Sequence, residues 1–89
     1  IKEKLLKAVR IKSKWACPYC NNSSDVNTAE ADHIHPVNKG GLTTMQNMVL
    51  ICKKCNSKKT NLMLRVFCKK QNYDYDDVCD RLERLGKDV

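Results

Sequence analysis

Gln46-Asn47-Met48-Val49-Leu50-Ile51-Cys52-Lys53-Lys54-Cys55-Asn56 decides the fold of this 89-residue chain: an apolar run of strand length leads without a break into two cysteines separated by two residues. Four consecutive apolar residues are too few for a buried helix and are read as a strand. A second pair, Cys17-Pro18-Tyr19-Cys20, stands upstream with the same gap. That spacing lets both sulfurs of a pair reach one ion at ~2.3 Å, so Cys17, Cys20, Cys52 and Cys55 are expected to hold a structural Zn²⁺. A shell of four thiolates has no open position, and its binding energy would support folding. The competing readings are two disulfides or a redox pair. A redox motif does not account for two copies, and disulfides do not account for the two-residue gaps.

The 31 residues between Cys20 and Cys52 exceed the roughly 15 to 20 of an ordinary zinc ribbon, so an insert carrying the chemistry is expected there. Within it, residues 27–37 read as a strand whose Pro36 marks an edge or an end. Asn38, Lys39, Gly40 and Gly41 form a turn before the returning strand at residues 48–51. Upstream, residues 2–13 set Leu5, Leu6, Ala8 and Val9 on one side, with Ile1 one turn before Leu5, and predict an amphipathic helix. Downstream, residues 56–71 contain neither Gly nor Pro and place Leu62, Val66 and Phe67 at helical spacing, which predicts one helix or two abutting ones. Asp74 can cap a last helix with Asp77 at its third position, Val78, Leu82 and Leu85 recurring, and Gly86 at its end. The chain is therefore read as one α+β domain, residues 1–89, with a core at 15–60, a helix at 2–13 and helices at about 62–71 and 75–85. Cys68 and Cys79 are read as small core residues.

A chain of this length buries only a little over half of its unfolded surface, so a staple is expected. No apolar run approaches the ~18 residues of a membrane span, and no membrane partner is expected. Paired metal-binding cysteines suit a reducing compartment, which points to a cytoplasmic or nuclear protein. The start at Ile1 is read as the edge of an excised or fused module. The net charge of +7 is local. Residues 1–15 hold six bases against Glu3, and residues 53–70 hold seven bases and no acid. Such a field suits a polyanion, and equally a solvated lysine surface, so charge alone does not decide.

The order Asp32-His33-Ile34-x-Pro36, Gly40-Gly41, Asn47-x-Val49-x-x-Cys52-x-x-Cys55-Asn56-x-x-Lys59 resembles the HNH endonuclease family over residues 17–59. The resemblance implies a ββα-metal fold: a hairpin with Asp-His on its first strand, then a helix that returns an Asn beside it. It implies that Asp32 and Asn56 hold a catalytic divalent ion and that His33 is the general base for the attacking water. Asn47 would tie the hairpin loop and help orient His33, and Lys59 would contact phosphate. It further implies DNA as partner, entered at the minor groove and held by its phosphate backbone, with targeting left to a fused or bound module.

The residue types agree with that chemistry on their own terms. A carboxylate and a neutral amide oxygen suit Mg²⁺ or Mn²⁺, and an imidazole, which ordinarily titrates near ~6.5, is a competent base at neutral pH. Duller readings stand beside each: His33 as a packed histidine, Asn47 as a turn residue, Lys59 as solvated surface. His35, two residues after His33 and on the same side of an extended strand, is a candidate for the scissile phosphate, for the metal, or for packing on the knuckle. A metal-dependent DNA nuclease is the expected function. A non-catalytic zinc module that binds DNA or protein is the alternative, and an RNA substrate the third reading.

Overall fold

The computed structural model describes residues 2–9 and 15–89. In chain order the elements are α1 (Lys2–Ala8), β1 (Trp15–Ala16), β2 (Ser23–Ser24), β3 (Glu30–His33), β4 (Met48–Ile51), α2 (Lys53–Lys59), α3 (Leu64–Gln71) and α4 (Tyr75–Arg84). The expected α+β class holds. Two small antiparallel sheets, β1-β2 and β3-β4, are joined to four helices.

All four residues of β4 are buried, which explains why its sequence lacks polar alternation: a strand covered on both faces has no solvent side. Val49 and Ile51 face a core with Cys17, Tyr19, Cys55, Phe67, Val78 and Leu82. Met48 and Leu50 face a smaller one with Leu5 of α1, Val26 and Ala29. The β3-β4 hairpin is thus a septum between two apolar layers. Its register sets Asp32 opposite Val49 and His33 opposite Met48. By strand alternation, Asp32 belongs to the larger core's side and His33 to that of α1.

The strand expected over residues 27–37 is shorter, and capping explains why. Asp25 Oδ1 accepts the Asn27 N–H at 2.9 Å and closes a 3-10 turn over Val26–Thr28. At the other end, the Pro36 carbonyl accepts from the N–H groups of Lys39 and Gly41 at 3.0 and 2.9 Å and turns the chain. Gly41 lies so close to the His35 carbonyl that a Cβ there would overlap it, which accounts for glycine at that position. The N-terminal helix was expected over residues 2–13; α1 covers Lys2–Ala8, while Ile1 and residues 10–14 lie outside the described residues. The stretch 56–71 is divided between two helices, α2 and α3, with Thr60 at positive φ ending α2. Val66, expected on the apolar stripe, is exposed on α3, whereas Phe67 and Cys68 are buried. Asp74 caps α4 as its sequence suggests, Oδ1 accepting the Asp77 N–H at 3.1 Å, and Gly86 takes positive φ just beyond its end.

Candidate active site and metal centre

The two cysteine pairs converge. Residues 17–20 form a tight knuckle between β1 and β2, closed by Asn21 N–H to Cys17 O at 2.7 Å and by Asn21 at φ 61°. The second pair straddles the start of α2, where Cys52 Sγ accepts the Cys55 N–H at 3.4 Å. All four Sγ atoms lie within 4.8 Å of one another, and Cys20 and Cys52 are 3.8 Å apart. A tetrahedron with ~2.3 Å Zn–S bonds has S–S edges of about 3.8 Å, so the cluster fits a structural Zn²⁺. A hydrogen bond from Cys55 lowers the Cys17 thiol to about 5 against the opposing effect of burial, and the same bond raises Cys55. Crowded sulfurs of this kind share protons until a cation displaces them.

Asp32 lies on the buried face of β3 and is 5% exposed. Its Oδ2 accepts the Tyr19 hydroxyl at 2.8 Å and meets the Lys59 ammonium at 3.0 Å. Among the described residues both partners engage Oδ2. Burial pushes the Asp32 carboxyl above its ordinary range, with Lys59 and then Tyr19 opposing it. Burial, reinforced by the Asp32 charge, raises the Tyr19 phenol well above its ordinary range, so the phenol stays a donor.

Lys59 was expected to reach phosphate. Instead its side chain is fully buried, and Nζ also donates to the His33 carbonyl at 2.9 Å. The reason is its place on α2: it is one turn beyond Cys55, on the helix face that packs against β3. The next peptide N–H, that of Ile34, donates to Asn47 O, just before β4, at 2.8 Å. The His33 carbonyl therefore points to the unpaired edge of β3, and the Lys59 ammonium sits at that edge between the two residues of the Asp-His pair. Asn56, half-buried, stands one turn before Lys59 on α2.

His33 leaves the strand on the other side, and its Nε2 is 2.9 Å from Thr43 Oγ1 in the hairpin loop. Asn47 is buried and staples that loop. Its Oδ1 accepts the His35 N–H at 2.9 Å, and its Nδ2 donates to His35 O at 3.0 Å and to Leu42 O at 2.7 Å. His35 itself projects into solvent, at the rim of a cleft of about 620 Å³ that also involves Leu42, Asn47, Leu64 and Arg65. Neither Asp32 nor Asn56 lines that cleft. The structure thus gathers Asp32, His33, Asn47 and Lys59 around the end of β3. Tyr19 and Thr43 were not singled out from the sequence. A tyrosine inside a zinc knuckle is a weak signal for the first, and nothing in the local pattern marks the second.

A two-stranded hairpin running into a helix, with a four-cysteine cluster at its base and Asp-His at the end of its first strand, defines a small ββα nuclease-type domain. The HNH endonuclease family matches residues 17–62, and the chain belongs to that family. Among curated proteins it is similar to the CRISPR-associated endonuclease Cas9 of Corynebacterium diphtheriae, 30% identical over 69 residues, which cover 76% of this chain and 6% of that protein. It is likewise similar to the Cas9 of Actinomyces naeslundii, 30% identical over 71 residues, covering 79% of this chain and 6% of that protein. The chain therefore spans about 6% of the length of these relatives. No solved structure matches it. Among the described residues no helix is long and apolar enough to cross a membrane.

Proposed function

We propose that this chain is the DNA-cutting module of a larger intracellular protein, hydrolysing phosphodiester bonds with one divalent cation and His33 as general base. The observation that carries the reading is the convergence at the end of β3: a buried carboxylate, an imidazole and the α2 residue Lys59 meet beside the four-cysteine cluster, with Asn56 one turn before Lys59 on the same helix.

Asp32 Oδ1 and the Asn56 amide oxygen are hard donors, as Mg²⁺ or Mn²⁺ requires, and two such protein ligands leave room for water and a phosphate oxygen. A cation held there would neutralise the charge that develops on the leaving oxygen. His33 Nε2 is held by the Thr43 hydroxyl; the base role requires the tautomer in which Nε2–H donates to that hydroxyl, which leaves Nδ1 bare to take the proton of the attacking water. The water oxygen bonds to phosphorus as its proton passes to Nδ1, and the bond from phosphorus to the leaving oxygen breaks. Asp32 and His33 project from opposite sides of β3, so a phosphate reached by both lies across the strand's unpaired edge. To His35, exposed two residues beyond His33, this reading gives a contact with the same backbone. Lysines 53, 54 and 58, all exposed on α2, supply sequence-independent attraction to phosphates.

One observation favours the alternative of a zinc module that binds without cutting: the Lys59 ammonium already neutralises Asp32. Supercoiled plasmid incubated with the zinc-loaded chain and Mg²⁺ or Mn²⁺ separates the two. One small active site is expected to yield nicked circles first. Binding with no cleavage in either metal would favour the alternative, and direct linearisation would contradict a single site acting alone.

A further inference from the structure

Tyr19 joins the two halves of the domain. It lies between two zinc-site cysteines, is fully buried, and ends in a hydroxyl 2.8 Å from the Asp32 carboxylate, 13 residues away in sequence. We propose that Tyr19 is a positioning residue that couples the cysteine knuckle to the divalent-cation site by fixing the orientation of Asp32; this rests on the reading of Asp32 as a metal ligand.

Each part of the tyrosine is held independently. Its backbone is set by the knuckle, since Cys17 and Cys20 flank it within one closed turn. From α4, Arg81 donates Nε–H to Pro18 O at 2.8 Å and a second N–H to Tyr19 O at 3.2 Å, pinning the same turn from outside. Its ring lies against Phe67 with centroids 5.5 Å apart and planes at 52°. A phenylalanine would satisfy all of those contacts. The hydroxyl is costly to bury without a partner, and its partner is Asp32 Oδ2. Tyr19 and Lys59 reach that one oxygen from the knuckle and from α2, so the carboxylate cannot rotate freely and Oδ1 is presented in a set direction. Groups that orient a metal-binding carboxylate in this way typically change metal affinity or activity by about 10- to 100-fold when removed.

The test compares the zinc-loaded wild type with Tyr19→Phe and Asp32→Asn, reading zinc content, circular dichroism and Mn²⁺ binding by electron paramagnetic resonance. Tyr19→Phe is expected to retain zinc and the wild-type spectrum while raising half-saturation by Mn²⁺ about 10- to 100-fold. Half-saturation within twofold of wild type would overturn the coupling. If Asp32→Asn binds Mn²⁺ as well as wild type, Asp32 is not a ligand and the functional reading falls with the proposal. Should Tyr19→Phe lose zinc, 3-fluorotyrosine incorporated into wild type replaces it. The chain has three tyrosines, so the Tyr19 signal is assigned by elimination with Tyr73→Phe and Tyr75→Phe. The proposal requires that signal to shift on Mg²⁺ addition and to stay still in Asp32→Asn. An unmoved signal in wild type overturns it.

Discussion

Asn47 shows how much one side chain can organise. Three hydrogen bonds from a single amide close the loop between β3 and β4, and the loop in turn carries Thr43 to His33. Asn47→Asp is close in size but has no N–H to give, so it sets a carboxylate against the His35 and Leu42 carbonyls. With each buried hydrogen bond contributing about 0.5–1.5 kcal/mol and each stranded acceptor costing more, the loss is expected to be about 2–4 kcal/mol by urea denaturation. A stability unchanged from wild type would show that the loop is not held by this amide. Asp32, His33 and Asn47 were legible as candidates because they fall in a fixed order beside the cysteines. Thr43 was not, because its contact with His33 depends on how ten residues of loop fold back.

At the scale of elements, α2 is clipped to β3 by the buried pair Lys59–Asp32. Removing one partner of such a pair leaves a charge with lost compensation and typically costs about 3–5 kcal/mol. Lys59→Met, which keeps most of the apolar stem, is therefore expected to lower the denaturation free energy by that amount without Mg²⁺ or Mn²⁺ present. A change under about 1 kcal/mol, the usual size for a solvated pair, would mean that water reaches the site. The inward turn of Lys59 was not readable from the sequence. A lysine one turn after a zinc-site cysteine has the same local pattern whether it meets solvent or a strand 26 residues upstream. By contrast, β4 and the cap of α4 were readable, because strand length and an Asp74-to-Asp77 N-cap are decided by neighbours in sequence.

For the whole molecule, two small cores on either side of a hairpin have little reserve, and the cysteine cluster lies at the junction of knuckle, β4 and α2. Structural zinc contributes about 10–16 kcal/mol in small zinc peptides, as much as the entire net stability of about 5–15 kcal/mol expected of a folded domain. Zinc bound by the four cysteines would therefore decide whether the chain folds. Stripping it by chelation under reducing conditions is expected to abolish the cooperative thermal transition seen by circular dichroism, with recovery on adding Zn²⁺ back. An apo form that melts cooperatively at the same temperature would contradict this. The two cysteine pairs made the staple legible from the sequence, and their observed spacing of 3.8 Å between Cys20 and Cys52 is that of a shared ion.

Plasmid cleavage by the zinc-loaded wild type and by His33→Ala, the variant being shown by circular dichroism to be folded, tests directly whether the chain is a nuclease with His33 as its base. Wild type is expected to nick with Mg²⁺ or Mn²⁺ and the variant to lose about 10²- to 10⁴-fold, the range a general base supplies. A folded His33→Ala that nicks at the wild-type rate would contradict the base role.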